Sequence, residues 1–438
     1  MRFTRRLRTP WWLPVTVPIG SVMAAFLVGA AVLLVTGHNP VDTYIRLFER
    51  GFLSENALSS TLRSATPLVF TGLAAAAAFR MRLWNIGGEG QLYMGAIGAS
   101  GIGLALDGAA SIVVIPAMIL GGAVFGALWA FVPGILRSRF NTNEIITSLM
   151  LNYVAGLVLA YLVLGSMSPW RDQSPGTTFP LGARLSESAS WPQFLTGLPL
   201  LVAVPISLGV VAGVAAWTRH RTRSRTLRVN VVVISAVAVA ALLFAGVVAD
   251  GPAITVPFGI VLGVATAIVV WVLYRETRFG FEVRVISDSP AAAHYGGMDT
   301  GRKIVVVMLL AGGLAGLGGA SQVGDFSHLL DPYGLPQSVY GYTGIVVAAL
   351  SANGPLGVIL AAFLLGGLSN AGFSLRGLDF PLGLVGILQG LILFFAIGGT
   401  VLVRYRVRFR QRRATGEESP DRQEPDGSAL AGARGGEQ

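Results

Sequence analysis

Long apolar runs recur along almost the whole chain and constrain its fold more than any other feature of the sequence. A helix that crosses the hydrocarbon core of a bilayer needs about 20 mostly apolar residues. By this measure the sequence predicts twelve such helices, at residues 12–36, 64–79, 90–106, 113–136, 145–165, 198–217, 229–249, 254–274, 304–322, 338–351, 355–373 and 380–403. Charged residues occupy only 12% of the 438 positions, too few for the surface of a soluble protein. The predicted fold class is an all-α polytopic membrane protein with about twelve transmembrane helices.

Arginine and lysine are concentrated in alternate connections between these helices. In membrane proteins the cytoplasmic connections carry an excess of these two residues. If Met1 is cytoplasmic, 24 of the 32 basic residues lie on the cytoplasmic side and six on the opposite side, and the other two lie in the terminal tail. An odd number of helices would break this pattern, so both termini are expected to be cytoplasmic.

The same pattern divides the chain into three parts. Residues 1–11 are expected to form a basic cytoplasmic N-terminus, residues 12–403 the transmembrane domain, and residues 404–438 a basic and then disordered cytoplasmic tail. The first apolar run is longer than the core of a typical signal peptide, and no clear A-x-A cleavage site follows it. It is therefore interpreted as a membrane helix.

Several kinds of chemistry lack their characteristic motifs in this sequence. It has no cysteine, and its four histidines are scattered without the spacing of metal ligands. It also lacks a GxxxxGK(S/T) phosphate loop and the HExxH and GxSxG motifs. The net charge of +10 arises from basic residues beside the apolar runs, without interleaved aromatic residues, which argues against nucleic acid binding. We therefore expect no catalytic residue, metal or cofactor in this chain.

Polar side chains interrupt two of the apolar segments. Polar groups at membrane depth are costly unless they face a cavity or a partner helix, so they are candidates for lining or gating a transport pathway. In the second segment they recur at i, i+4 spacing, which places them on one face of a helix. The candidate pathway residues are Asn85, Glu89, Gln91, Glu144, Ser148 and Asn152.

These residues also have a purely structural interpretation. Glu89 stands where a carboxylate stabilises the N-terminus of the helix that follows it. Polar residues such as Asn152 commonly form hydrogen bonds between membrane helices. The sequence leaves both interpretations open. Nearby apolar runs carry simpler signals: Gly312 and Gly316 form a GxxxG pair typical of close helix packing, and residues 340–344 resemble a helix entry.

A hydrophilic segment, residues 275–303, separates two strongly apolar runs and contains the signals of a short helix. Ser289 is a favourable N-cap, Pro290 suits the first helical position, and Gly296 is expected to end the helix in the left-handed conformation. A bare connector has little need for a capped helix, so we expect a cytoplasmic docking surface for a soluble partner. The residues assigned to it are Arg284, Ser289, Pro290, Ala291, Ala292, Ala293, His294, Tyr295 and Gly296.

Four segments resemble one family of membrane transport proteins. They are FRMRLWNIGGEGQ at 79–91, NTNEIITSLMLNYVA at 141–155, AAAHYGGM at 291–298, and the run that begins YGYTGIVVAALSANGP at residue 340. With them the chain resembles the permease subunits of ATP-binding-cassette (ABC) importers of the ribose and branched-chain amino acid type, in the simple-sugar and nucleoside branch. The resemblance covers most of residues 57–404.

The resemblance implies a permease in the cytoplasmic membrane of a prokaryote that imports nucleosides or simple sugars. Its implied partners are ABC ATPase subunits, a second permease chain, whether different or identical, and an extracytoplasmic substrate-binding protein. ATP would be used by the ATPase subunits alone, and the segment 275–303 would contain the coupling helix. Such relatives commonly have ten membrane helices, so residues 198–250 would be an inserted hairpin.

Two other classes of function fit a chain of this composition. An ion-coupled secondary transporter of small polar solutes would need no ATP, but the sequence lacks buried acidic residues in repeated positions. A membrane-embedded enzyme, such as a lipid-linked glycosyltransferase, would need a converging set of Asp, Glu and His residues, and the sequence shows none. The secondary transporter is the alternative that we retain beside the ABC permease.

Overall fold

The computed structural model describes residues 2–5, 13–165, 167–174, 180–194, 254–376, 380–381 and 383–408. The helices predicted at 198–217 and 229–249, which would form the inserted hairpin, lie outside the described residues, as does the tail beyond residue 408. Every other predicted span contains a helix in the structure. The prediction of a single spanning helix at 338–351 is wrong, because the helix there has only 11 residues and is too short to cross a bilayer.

The described chain is mostly helical. Its α-helices are α1 (Leu13–Val35), α2 (Pro40–Phe48), α3 (Ala57–Phe79), α4 (Gly88–Ala105), α5 (Ser111–Phe140), α6 (Glu144–Ala160), α7 (Phe258–Glu276), α8 (Arg278–Asp288), α9 (Pro290–Tyr295), α10 (Thr300–Ser321), α11 (Gly334–Ser338), α12 (Tyr340–Leu350), α13 (Pro355–Ser374) and α14 (Leu384–Arg404). Its π-helical and 3-10 turns are Glu49–Leu53, Tyr161–Gly165, Gln322–Ser327 and Glu187–Ala189. Its short strands are β1 (Arg2–Arg5), β2 (Gln193–Phe194), β3 (Val256–Pro257) and β4 (Tyr405–Arg408).

Seven helices of the described residues are long and apolar enough to cross a membrane, namely α1, α3, α5, α6, α7, α10 and α13. Polar side chains begin two of them where the sequence changes from a turn to an apolar run. Asn143 Oδ1 accepts from the N–H of Ile145 at 2.9 Å, and Asp299 Oδ1 accepts from the N–H of Arg302 at 2.9 Å. The chain is thus an all-α polytopic membrane protein, as the sequence predicts.

Helices α3 and α10 form the centre of the bundle. Helix α3 is buried along most of its length, and α10 packs against α3, α4 and α5. A Cβ on Gly312 would lie 2.3 Å from the Cβ of Ala130 and 2.4 Å from the carbonyl oxygen of Gly126. A Cβ on Gly316 would lie 2.1 Å from the carbonyl oxygen of Gly122. The GxxxG pair therefore lies at a close helix contact, as predicted.

We expect Gly312→Ala to destabilise the protein by about 1–3 kcal/mol, because the added methyl group meets backbone that cannot move aside. Gly313→Ala is the matched control, because its Cβ would lie 3.4 Å from its nearest neighbour, in ordinary van der Waals contact. The measurement is the thermal unfolding midpoint of each purified variant. Equal midpoints for the two variants would contradict this account of the α5–α10 contact.

Two antiparallel ribbons join distant parts of the chain. β1 pairs with β4, with Arg2 opposite Arg408 and Arg5 opposite Tyr405, and α1 packs against α14. This pairing brings the first and last described residues to the same end of the bundle. β2 pairs with β3 and fastens the loop before residue 195 to the start of α7.

Residues 275–303, predicted to carry the docking surface, differ in two respects from expectation. Much of the region interpreted as a loop is helix α8, which packs against α7 and α9. Helix α9 has the predicted N-cap, since Ser289 Oγ accepts from the N–H of Ala292 at 3.3 Å. The helix ends at Gly296, as predicted, but the left-handed conformation predicted for that residue is wrong: its φ is −77°, and its N–H donates to the carbonyl oxygen of Ala292 in the helical pattern. Gly297, with φ of +69°, adopts the left-handed conformation instead.

Candidate functional site

Helix α12 begins in the interior of the bundle. Its 11 residues extend over about 16 Å, roughly half the hydrocarbon core of a bilayer. The hydroxyl of Thr71 donates to the carbonyl oxygen of Tyr340 at 3.0 Å, and Thr71 lies about two turns before the end of α3. The N-terminus of α12 is therefore level with the middle part of α3.

The carboxylate of Glu89 joins α4 to this buried N-terminus. Glu89 Oε2 accepts from the N–H groups of Gly341 at 2.6 Å and Tyr342 at 3.2 Å, and Oε1 accepts from the hydroxyl of Tyr93 at 2.8 Å. Glu89 is only 2% exposed. Burial of a carboxylate is costly unless hydrogen bonds compensate, and here three donors do so. We call Glu89, Tyr93, Gly341 and Tyr342 the helix junction.

The helix junction brings the N-termini of α4 and α12 together. A Cβ on Gly341 would lie 2.2 Å from the nitrogen of Glu89 and 2.6 Å from the carbonyl carbon of Gly88, so only glycine fits there. Unpaired N–H groups give each helix N-terminus a partial positive charge. A carboxylate at such a place is stabilised by up to about 2 kcal/mol in a partly buried setting. The carboxylate of Glu89 thus offsets the positive end of α12.

Asn152 connects the helix junction to α6. Its Oδ1 accepts from the N–H of Gly90 at 2.9 Å. Its Nδ2 donates to the carbonyl oxygen of Ile86 at 3.0 Å and to the hydroxyl of Tyr342 at 3.1 Å. Asn152 therefore holds the segment that precedes α4, the first turn of α4 and the first turn of α12 at once.

Asn85 and Gln91 form a reciprocal amide pair beside the junction. Asn85 Nδ2 donates to Gln91 Oε1 at 2.9 Å, and Gln91 Nε2 donates back to Asn85 Oδ1 at 3.0 Å. Asn85 Oδ1 also accepts from the N–H of Gly87 at 3.1 Å. These bonds fix the nonhelical segment that enters the bundle before α4.

Glu144 fixes the outer end of the same segment. Its Oε1 accepts from the N–H of Trp84 at 3.3 Å, and its Oε2 lies 3.3 Å from Nε of Arg137 in an ion pair. Ser148, one turn deeper on α6, donates to the carbonyl oxygen of Ile145 at 3.3 Å. Glu144, Ser148 and Asn152 are all buried, which confirms that they share the inward face of α6.

The structure brings all six candidate pathway residues into one buried polar cluster around the segment before α4. Glu89 does cap a helix, as the structural interpretation proposed, but the helix is α12 and not α4. Sequence reasoning missed Arg137, Gly341 and Tyr342. The sequence signal that could have identified Gly341 and Tyr342 is the YGYTG run at residues 340–344. Its two glycines lie where α12 begins and packs closely against another helix.

We expect Asn152→Leu to lower stability by several kcal/mol, because it leaves the Gly90 N–H and the Ile86 carbonyl buried without partners, at about 1–3 kcal/mol each. The matched control is Thr147→Val on the same helix, because the Thr147 hydroxyl donates only to carbonyl groups of its own turn. Thermal unfolding midpoints of the two purified variants provide the comparison. A midpoint of the Asn152 variant equal to that of the control would show that the cluster carries little stability.

The docking surface consists of α8 and α9 and is held against the bundle by charge and packing. Glu282 forms ion pairs with Arg278 and Lys303. Hydrogen bonding from Lys303, together with that from Arg278, holds the pKa of Glu282 below its ordinary value, so the carboxylate is ionised at neutral pH. Ala293 is fully buried, whereas Tyr295 is 94% exposed. Arg284 and His294 are also exposed.

Arg80, at the end of α3, connects α7, the helix that precedes the predicted docking surface, to the turn after α12. Its guanidinium lies 5.0 Å from the ring centre of Tyr274 on α7, and its Nε donates to the carbonyl oxygen of Asn353 at 3.2 Å. Asn353 lies in the turn between α12 and α13, and the Tyr274 hydroxyl donates to the carbonyl oxygen of Ala77 at 3.0 Å. Direct contacts of Arg80 thus join α7 to the end of α12.

No group of three or more His, Cys, Asp or Glu side chains suited to a metal ion occurs in the part of the chain that the structure describes. The arrangement at the junction is instead a set of side-chain hydrogen bonds to the backbone at the starts of α4 and α12.

Comparison with known proteins identifies the family. A model of the permease component of branched-chain amino acid transport systems matches residues 57–397. The glucose ABC transporter permease protein TsgB13 of Haloferax volcanii is 31% identical over 92% of this chain and 92% of its own length. The guanosine permease NupP of Bacillus subtilis is 29% identical, over 80% of this chain and 84% of its own.

The nucleoside permease NupB of Lactococcus lactis is 27% identical over 87% of this chain and 90% of its own length. No solved structure matches the chain. The family model covers the helix junction, the docking surface and the central bundle together. The chain belongs to the family of permease components of branched-chain amino acid transport systems.

Proposed function

We propose that this chain is the membrane permease subunit of an ABC importer that carries nucleosides or simple sugars across the cytoplasmic membrane of a prokaryote. Family membership is the observation that carries the proposal, because the relatives named above are ABC permeases for glucose, guanosine and nucleosides. ATP is hydrolysed by separate ATPase subunits, in keeping with a sequence that has no phosphate loop. The chain itself is a transport subunit and not an enzyme.

The membrane topology that we propose has twelve helices, ten of a family core and two of the hairpin at residues 198–250. Both termini are cytoplasmic. The distribution of arginine supports this orientation, and the pairing of β1 with β4 supports placement of both ends on one side. The same orientation places the docking surface on the cytoplasmic side. The end of α7 and the start of α10 lie at the docking surface, whereas the start of α7 and the end of α10 lie at the other end of the bundle, near the loop at residues 180–194.

The proposed mechanism couples the docking surface to the helix junction. ATPase subunits bind around α9, where Tyr295 projects and Ala293 anchors the helix to the bundle. Closure of the ATPases displaces α8 and α7, and Arg80 transmits that displacement to the turn after α12. Movement of α12 along its axis separates Gly341 from Glu89.

The six candidate pathway residues act in this proposal as a gate. Their burial supports gating over lining, because in this conformation their polar atoms bond to one another and to the backbone. Opening exchanges those bonds for bonds to water and to the passing solute. The free-energy cost of each exchange is small, because the net contribution of one hydrogen bond to stability is only about 0.5–1.5 kcal/mol.

The assembly that we propose contains two permease chains, two ATPase subunits and an extracytoplasmic substrate-binding protein. The test is uptake into proteoliposomes that contain the assembled transporter, with radiolabelled guanosine and D-glucose as probes. We expect uptake of at least one probe, dependent on ATP and on every subunit. Uptake by this chain alone with an ion gradient would identify a secondary transporter instead. Uptake of neither probe by the complete assembly would contradict the proposed solute class.

A further inference from the structure

A second polar cluster lies at the end of the bundle opposite the docking surface. Helix α7 starts there and ends at the docking surface, and the π-helical turn after α10 lies there too. Arg63 on α3 and Asp325 in that turn are its charged members, and His328 follows the turn. Sequence reasoning assigned no role to any of these three residues.

The carboxylate of Asp325 is bonded to the backbone N–H groups of Phe258 and Gly259 at the start of α7, and one of its oxygens is left over. Asp325 is 4% exposed, and its Oδ2 accepts from the N–H of Gly259, in the first turn of α7, at 2.8 Å. Its Oδ1 is buried and has no hydrogen-bond partner among the described residues. Buried polar atoms in native proteins nearly always have a partner, so an exception points to water or a ligand.

Arg63, whose charge is opposite to that of a carboxylate, also has a buried polar atom without a partner. Its Nε is buried and unpartnered within the described part of the chain, and its charge acts on both Asp325 and His328. The ion pairs formed by the described residues do not include one between Arg63 and Asp325. The turn that carries Asp325 packs against α3, which carries Arg63, so the two side chains lie near each other without an ion pair, and each retains an unused hydrogen-bonding atom.

The loop before residue 195 covers this cluster. The N–H of Leu185 donates to the carbonyl oxygen of His328 at 2.9 Å, and the N–H of Trp191 donates to the carbonyl oxygen of Gly324 at 3.0 Å. The Trp191 ring packs edge-to-face on Phe258, with ring centres 5.6 Å apart. The cover contributes to the burial of Asp325, which strengthens any hydrogen bond that its carboxylate makes.

The charges of the cluster select the chemistry of its ligand. Burial lowers the pKa of His328, and the nearby Arg63 and Arg184 lower it further, so His328 is neutral at neutral pH. Arg63 repels a cation and Asp325 repels an anion, and the charge of Arg184 is screened by solvent because that side chain is exposed. An apolar group would leave both Arg63 and Asp325 without a partner. A hydroxyl group both donates and accepts, and two adjacent hydroxyl groups can serve an acceptor and a donor at once.

We propose that Arg63 and Asp325 form a binding site for adjacent hydroxyl groups of an uncharged sugar ring. Asp325 Oδ1 accepts from one hydroxyl group, and the Arg63 guanidinium donates to its neighbour. The inference rests on the proposed function, in which this end of the bundle faces the side from which the solute enters. It deepens that function by naming the part of the solute that the permease itself recognises.

The test measures equilibrium binding to the purified full-length chain in lipid nanodiscs. The probes are guanosine with 2′,3′-dideoxyguanosine, and D-glucose with 2,3-dideoxyglucose. For at least one pair we expect the hydroxylated member to bind at least tenfold more tightly. Asp325→Asn should abolish this preference, because a neutral amide is a weaker acceptor than a carboxylate. Absence of a preference in the unaltered chain, or its survival in the variant, would overturn the proposal.

Two further variants separate recognition from folding. Asp172→Asn removes a carboxylate from an exposed position in the same loop region, where its side-chain hydrogen bonds within the described residues are to Ser174, and the preference should be unchanged. The double variant Asp325→Asn with Arg63→Gln keeps the cluster neutral. It should fold with an unfolding midpoint near that of the unaltered chain and show no preference. A preference retained by the double variant would also contradict the proposal.

The outcome for this site is distinguishable from the outcome for the proposed function. ATP-dependent uptake of guanosine or glucose, combined with no hydroxyl preference in the purified chain, would refute only the Arg63–Asp325 site. A hydroxyl preference lost in Asp325→Asn, combined with no ATP-dependent uptake by the assembly, would refute the importer and leave the site established.

Discussion

Replacement of Ala293 by proline, alone or together with Ala292, is expected to abolish transport and association with the ATPase subunits. The N–H of Ala293 donates to the carbonyl oxygen of Ser289 at 3.1 Å and forms the first intrahelical bond of α9. Proline removes that N–H, and its ring clashes with the same carbonyl group, at a local cost of about 3 kcal/mol or more. Ala293 is also fully buried, so α9 loses its contact with the bundle.

The measurements are ATP-dependent uptake and co-purification with the ATPase subunits, and both should fall at least tenfold. Membrane insertion should be unaffected, because α9 lies outside the predicted spans. Ala291→Pro is the matched control, since proline is tolerated in the first turn of a helix. Tyr295→Ala tests the surface without disturbing the helix, because that side chain is 94% exposed. Unimpaired uptake in the Ala293 variant would remove the docking role from this segment.

Replacement of Gly341 by alanine is expected to have the second large effect, a loss of transport at least tenfold. The added Cβ would lie 2.2 Å from the nitrogen and 2.4 Å from the Cα of Glu89, so the starts of α4 and α12 must move apart. Overpacking of this kind typically costs about 1–3 kcal/mol. The displacement also lengthens the 2.6 Å hydrogen bond from Gly341 to Glu89, on which the proposed gate depends.

The facing glycine is a matched control for this prediction. A Cβ on Gly88 would lie 3.6 Å from the carbonyl oxygen of Gly341, in ordinary van der Waals contact, so Gly88→Ala should transport normally. Uptake and unfolding midpoints of both variants check the prediction. If Gly88→Ala and Gly341→Ala behave alike, the closeness of the two helix starts is not what the gate requires.

Local signals in the sequence predicted the elements of the fold well. Apolar runs located the helices because a spanning helix must be apolar along its length, and Ser289 located α9 because an N-cap acts within three residues of its own position. The left-handed residue was placed at Gly296 and occurs at Gly297. Both glycines can adopt that conformation, and the sequence alone does not decide between them.

Interactions between distant residues were not predictable in the same way. Glu89 and Gly341 are separated by 252 positions, and nothing near Glu89 identifies α12 as the helix that it caps. Arg63 and Asp325 lie near each other only because α3 packs against the turn after α10. The six candidate pathway residues were found because polar atoms inside an apolar run are costly, but the bonds that offset this cost come from other helices.

The junction of α4 and α12 has a consequence for leakage across the membrane. Helix N-termini that face a pathway attract phosphate groups, as they do in many nucleotide-binding proteins. In this chain the carboxylate of Glu89 occupies the start of α12 while the proposed gate is closed, and it would repel a phosphate that approached the junction. Glu89 stays on α4 beside the pathway when α12 moves, so a cell that retains its solutes by phosphorylation would keep nucleotides and sugar phosphates inside even while the proposed gate opens for their uncharged precursors.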